Sequence, residues 1–234
     1  MFELLVVGLA GGLLPLLVKW NDRRLHIALA LSTGIFLGAV FLHMLPELPG
    51  VIDDATIKPR LLWAVALAGV LAIYFLESLV FRTHDHDDVH RHTAVGYATL
   101  AGLSLHAFTV GISLSATESA TESYTPIMVG ILFHKAFEAF SLTSVFQLAH
   151  FTQKKVATLI TLFACITPLG LLLGSKILPQ LSPNATAIAV ALAVGTFLYV
   201  CLTELLPEVF HHKEDVVTKV ILLLVGIGGM ALIQ

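Results

Sequence analysis

The chain has 234 residues, 57% of them hydrophobic and 12% charged, with a formal net charge of −3. A soluble domain carries about 25% charged residues, so a soluble fold is excluded and no nucleic-acid partner is expected. The mean hydropathy of +0.90 points instead to an integral membrane protein.

Eight apolar stretches follow one another in chain order, each near the length of about 20 residues that a helix needs to cross a bilayer. The first covers roughly residues 2–18; no basic segment precedes it, so it is expected to be a retained span and not a cleaved signal. The second, roughly 25–48, carries Gly34 and Gly38 and ends on His43 and Glu47, at i,i+4 around Pro46. The third is roughly 61–82, and residues 83–93 then form a His/Asp-rich loop, His84-Asp-His-Asp-Asp-Val-His-Arg-His92. The fourth, roughly 94–117, has His106 near its centre, and the fifth, roughly 126–150, holds His134 and Glu138. The sixth is roughly 155–178; the seventh, roughly 185–210, carries Glu204 and Glu208 near its end and is followed by His211 and His212; the eighth is roughly 216–233.

The runs are continuous, not alternating, which excludes a β-barrel. The expected fold class is an all-α integral membrane protein, a bundle of eight transmembrane helices forming a single transmembrane domain over residues 1–234. Lys19, Arg23, Arg24, Arg82, Arg91, Lys154, Lys155, Lys213 and Lys219 fall on one set of loops, against Lys58, Arg60 and Lys176 on the other. The first set is therefore cytoplasmic and both termini are outside. Small residues at Gly34/Gly38 and Gly226/Gly229 with Ala231 suit close helix packing, which allows a homodimer without requiring one. Cys165 and Cys201 lie inside apolar runs, leaving no C-x-x-C motif and no disulfide framework.

Ionisable groups at membrane depth are costly and usually face an ion, a partner or a polar path. His134 and Glu138 share one helix face, and imidazole with carboxylate suits zinc and other first-row divalent metals. His106 alone reads equally well as a hydrogen-bonded core histidine. Spans four and five are joined by a short segment that includes Glu118 and Glu122, which makes them antiparallel neighbours. His106, His134 and Glu138 then agree in height to within about two helical turns. His43 and Glu47 read either as an outer entrance collecting cations or as a wetted helix end. Glu204, Glu208 and His211 read as an inner exit or a solvated end. His84, His86, His90 and His92 read as a cation-buffering tract or a solvated linker. The sequon Asn184-Ala-Thr186 sits beside the membrane and is given no role. No phosphate loop and no H-E-x-x-H motif occur.

The sequence resembles the ZIP (Zrt/Irt-like) metal transporters. The likeness rests on H-x-x-x-x-G in span four, H-K-x-x-x-A-F in span five, Gly34-Ile-Phe-Leu-Gly-Ala-Val-Phe-Leu-His-Met-Leu-Pro-Glu47 in span two and Gly195-Thr-Phe-Leu-Tyr-Val-Cys-Leu-Thr-Glu-Leu-Leu-Pro-Glu208 in span seven. It implies a transporter of divalent transition metals, with zinc first and iron, manganese or cobalt as alternatives. His106, His134 and Glu138 would be the ligands, in a plasma membrane or, in a bacterium, an inner membrane. No prosthetic group is expected, and the partners are the ions and the bilayer.

One departure matters: where the resemblance leads one to expect glutamate in span four, this chain has Val110. Thr109, at i+3 from His106, is a candidate oxygen ligand in its place. The resemblance implies a single metal site, and Lys135 reads as an ammonium holding a second-site position, as a partner of Glu138 at i,i+3, or as a snorkelling side chain. Two alternatives stay open: a degenerate family member acting as sensor or structural subunit, and an intramembrane metal-dependent hydrolase. No further carboxylate at midplane depth is left to act as general base, so no enzyme is expected.

Overall fold

The computed structural model describes residues 1–50, 55–80, 88–117, 124–177, 182–211 and 213–232. Among them every regular element is helical, and the helices fall at the eight expected places. They are α1 (Phe2–Leu17), α2 (Asp22–Gly50), α3 (Pro59–Val80), α4 (Asp88–Thr117), α5 (Tyr124–Leu148), α6 (Gln153–Ile177), α7 (Pro183–Val209) and α8 (Val216–Ala231). Five of the described stretches are long and apolar enough to cross a membrane, whereas α1 and α8 are apolar but shorter. The chain is an all-α integral membrane protein, in which helices satisfy the backbone groups that lipid cannot. Helix α4 begins at Asp88, so helical backbone runs through the second half of the His/Asp-rich tract.

Local sequence sets the helix starts. The Asn21 side chain accepts the Arg24 N–H at 2.9 Å, with Asp22 in the first turn of α2, the combination that satisfies and complements a helix N-terminus. Ser182 caps α7 just ahead of Pro183, whose missing N–H costs nothing there.

The helices associate in two groups. In one, α1 packs on α5 and α6, and α4 packs on α6; in the other, α2 packs on α8 and α3 on α7. The groups meet chiefly where α2 lies against α5 and α4 against α7. Within the second group, glycines let backbones touch: a Cβ on Gly34 would lie 2.1 Å from the Leu223 carbonyl oxygen, and one on Gly195 1.9 Å from that of Ala66. Gly38 and Gly226 belong to the same α2–α8 contact, whereas Gly229, expected beside them, faces open space.

Helices α2 and α7 share a further irregularity. Ala39–Met44 and Val200–Leu205 widen into π-helical turns, and a proline, Pro46 or Pro207, follows each at the same offset. A proline has no N–H and crowds the carbonyl four residues back, and widening the preceding turn relieves both problems. In this register His43 corresponds to Glu204 and Glu47 to Glu208. The two segments are copies of one motif, and consecutive spans run in opposite directions, so the copies are inverted.

Candidate metal site

Helix α5 lies between α1, α2, α4 and α6, and side-chain hydrogen bonds fix its rotation. Thr143 donates to the Gly12 carbonyl of α1 at 2.7 Å, and Ser141 to the Ser32 hydroxyl of α2 at 2.8 Å. That rotation turns the His134 and Glu138 face towards α4. There His106 is wholly buried and stacks on Phe197 of α7, ring centroids 4.1 Å apart and planes 14° apart. Phe197 in turn meets Phe36 of α2 edge-on at 5.3 Å. An aromatic column from the second helix group thus sets the tilt of the His106 ring.

His106 Nε2 lies 3.3 Å from Glu138 Oε1, and His134 Nε2 lies 3.9 Å from the same oxygen. One ligand atom from each of the three residues falls within 4.8 Å of the others, and this is the metal-capable group found among the described residues. Two donors held about 2.1 Å from a tetrahedral ion stand about 3.4 Å apart, so the His106–Glu138 spacing already fits a shared ion. The three residues that the sequence brought together by helix periodicity and loop length are therefore together in space.

Lys135 does not run out to the interface. It is 2% exposed, reaches Glu138 Oε2 at 3.0 Å and lies 4.3 Å over the Phe163 ring of α6. Glu138 thus turns one oxygen to the histidines and the other to an ammonium. Val110 leaves α4 with no carboxylate at that level, and the Thr109 hydroxyl donates to the Leu105 carbonyl at 2.7 Å. Its oxygen lone pairs remain the part that could face an ion.

The candidate entrance and exit residues stand elsewhere. His43 Nε2 is 2.9 Å from the Met230 carbonyl of α8, and Glu47 is exposed. Glu204 is buried beside Glu77 of α3, which also accepts a hydrogen bond from the Tyr199 hydroxyl. Glu208 is buried and lies 3.5 Å from His26 Nε2, while His211 is half-buried. Sequence reasoning missed His26, Glu77 and Tyr199. The available signal was an imidazole and a carboxylate inside the apolar runs of spans two and three. His84, His86, His212 and the Glu118–Glu122 segment lie outside the described residues, as do the side chains of His90 and His92. Beyond the spans, Asp215 receives two hydrogen bonds from Arg23, at 2.5 and 2.7 Å, and the guanidinium holds its carboxyl below the usual range.

Fold and site together define a helical integral membrane protein with a two-histidine, one-carboxylate group between two of its helices, His106 and Glu138 buried and His134 half-buried. The chain matches the ZIP Zinc transporter family over residues 1–93 and 81–234, and it belongs to that family. It is similar to "Zinc transporter ZIP1" of Bos taurus, at 25% identity over 92% of this chain and 80% of that one. It is also similar to "Zinc transporter ZIP9-B" of Xenopus laevis, at 26% over 88% and 83%, and to "Zinc transporter 3" of Arabidopsis thaliana, at 25% over 98% and 81%.

Proposed function

We propose that this chain carries divalent transition-metal ions, zinc first, across a membrane towards the cytoplasm, and that it does so as a carrier and not an enzyme. The observation that carries the reading is the group of buried His106 and Glu138 with half-buried His134, whose ligand atoms lie within 4.8 Å. Such groups at membrane depth mark ion paths, and mixed imidazole and carboxylate ligands suit zinc and its first-row neighbours.

In this reading His106, His134 and Glu138 bind the ion, with Thr109 as an auxiliary oxygen. His43 and Glu47 lie on the outer approach, and Glu204 and His211 on the inner one. The histidines of the 83–93 tract (His84, His86, His90 and His92) hold metal at the inner face. The two helix groups rock against each other along the α2–α5 and α4–α7 contacts, exposing the site to each side in turn. The widened turns of α2 and α7 are where that motion bends the helices. Both termini then face outside, in a plasma membrane or a bacterial inner membrane.

The test is flux of zinc, iron, manganese and cobalt into liposomes containing the purified chain, against H134A and T109V. Zinc uptake that needs His134 is expected, and uptake indifferent to H134A overturns the assignment. Unchanged uptake of every metal by T109V removes Thr109 from the ligand set. Val110 and the buried Lys135 together favour one second reading, a sensor, for which metal binding without flux is the signature.

A further inference from the structure

The imidazole of His106 is oriented by a ring and not by a hydrogen bond. Its Nε2 faces Glu138 Oε1 at 3.3 Å, while its buried Nδ1 has no hydrogen-bond partner among the described residues. Ligating histidines are ordinarily oriented through that second nitrogen, which donates to a carboxylate or a backbone carbonyl. Here Phe197 of α7 lies flat against the imidazole, ring centroids 4.1 Å apart and planes 14° apart, and both side chains are wholly buried. With the rings near parallel, the nitrogens point along the Phe197 face, so Nε2 is directed to Glu138.

Local sequence brings the two rings together. Gly102 stands one turn before His106 on α4, and a Cβ there would lie 2.2 Å from Val200 Cγ2, so α4 and α7 come this close only over a bare backbone. Val200 is one turn beyond Phe197. The antiparallel helices thus set Gly102 against Val200 and, a turn further on, His106 against Phe197. Phe36 of α2, also wholly buried, meets Phe197 edge-on at 5.3 Å and 63°, so the supporting ring is itself fixed. Support and ligands belong to different helix groups. His106, His134 and Glu138 are carried by α4 and α5 in the first, Phe197 and Phe36 by α7 and α2 in the second.

We propose that Phe197 is a positioning residue for metal binding: its face holds the His106 imidazole in the ligating orientation, and only while the two helix groups stand as they do here. The role of His106 as a ligand rests on the transport reading, but the stack itself does not. An imidazole released from the stack regains its rotamers, and binding must then order it again. Displacement along the α4–α7 contact therefore loosens one ligand while α4 and α5 stay together, which ties the affinity of the site to the position of the groups.

Cobalt(II), whose visible absorption reports ligand geometry, is the probe, and the full chain in detergent is the sample. F197L and, independently, F197M keep an apolar side chain and remove the flat face. Each is expected to weaken cobalt binding by about tenfold, as loss of an orienting partner does, and to alter the cobalt spectrum. In H106Q, which leaves His134 and Glu138, adding F197L is expected to change the remaining binding by less than about twofold, because the group that Phe197 orients is gone. The proposal is overturned if either Phe197 variant, eluting and melting as the wild type does, binds cobalt as tightly as the wild type. It is also overturned if F197L weakens binding in H106Q as much as in the wild-type chain, since the ring would then act on the fold and not on the imidazole. H134A separates the two readings. Wild-type cobalt binding by H134A sinks the site assignment itself, whereas lost binding in H134A beside wild-type binding in F197L and F197M sinks only the role of Phe197.

Discussion

Replacing Glu138 with glutamine tests the energetic reading of the site and its chemistry together. Lys135 and Glu138 are 2% and 1% exposed and stand 3.0 Å apart. At an effective dielectric of about 20, two unit charges at that distance attract by about 5 kcal/mol. Removing one partner of a buried pair typically costs about 3–5 kcal/mol, because it strands the other charge. The Phe163 ring, 4.3 Å from the ammonium, offsets about 1–2 kcal/mol of that. E138Q should therefore lose about 3 kcal/mol of folding stability. K135M/E138Q, which replaces the pair by neutral groups, should recover most of it, since such replacements are often neutral. Unfolding equilibria in mixed micelles for the two single variants and the double variant give the coupling energy directly. Zinc flux should stay lost in both E138Q chains, because no carboxylate remains beside the histidines. E138Q as stable as wild type would refute the buried pair, and zinc flux through the double variant would refute Glu138 as a ligand.

His106 should separate stability from function. Its ring nitrogens make no hydrogen bond of good geometry among the described residues, so H106F keeps the stack on Phe197, leaves melting close to wild type and abolishes zinc uptake. Gly195→Ala should unfold or misassemble the bundle, since its Cβ would meet the Ala66 carbonyl oxygen at 1.9 Å. Gly228→Ala, with nothing within 4 Å, should be harmless in the same thermal assay. Zinc needs neutral imidazoles, so lowering external pH should slow uptake into liposomes; uptake that rises steadily with acid would contradict His106 and His134 as ligands.

The eight helices were legible because lipid leaves the backbone no alternative, and long apolar runs are hard to mistake. The His134–Glu138 pair was legible for the same local reason, a fixed helical period. His106 came from the shortness of the connection between spans four and five, which forces neighbours to match in depth. For Lys135 the sequence offered the Glu138 pairing and the interface as alternatives and could not choose, because the direction of the side chain depends on what surrounds α5. With α1 and α6 packed on that side, the ammonium meets Phe163 and Glu138 where an exposed helix would have let it reach the interface. The widened turns of α2 and α7 were half-visible as Gly-x-Phe-Leu and Leu-Pro-Glu recurring in both spans, but a repeat does not announce a change of helical pitch. His26 was hidden at a span's edge, where histidines are ordinarily wet. Only the packing of α7 and α8 over it shows that it is buried.

If the proposed site carries an ion, the pairing of Glu138 with Lys135 bears on how that ion is released. With Oε2 held by the ammonium, Glu138 offers the metal Oε1, and the cluster carries no net charge before an ion arrives. A divalent ion on Oε1 would stand about 5 Å from the ammonium and be repelled by about 6–7 kcal/mol at an effective dielectric of about 20. A storage protein gains nothing from such repulsion, but a carrier must let go of its cargo. K135M should accordingly tighten zinc binding. The gain falls short of the full repulsion, because burying Glu138 without its partner carries a cost of its own. A tenfold gain in affinity, about 1.4 kcal/mol, is a conservative expectation. Turnover in liposomes should drop as affinity rises, since release becomes the slow step. K135M protein that melts as wild type but binds zinc no more tightly would show that the lysine only holds Glu138 in place and has no part in expelling the ion.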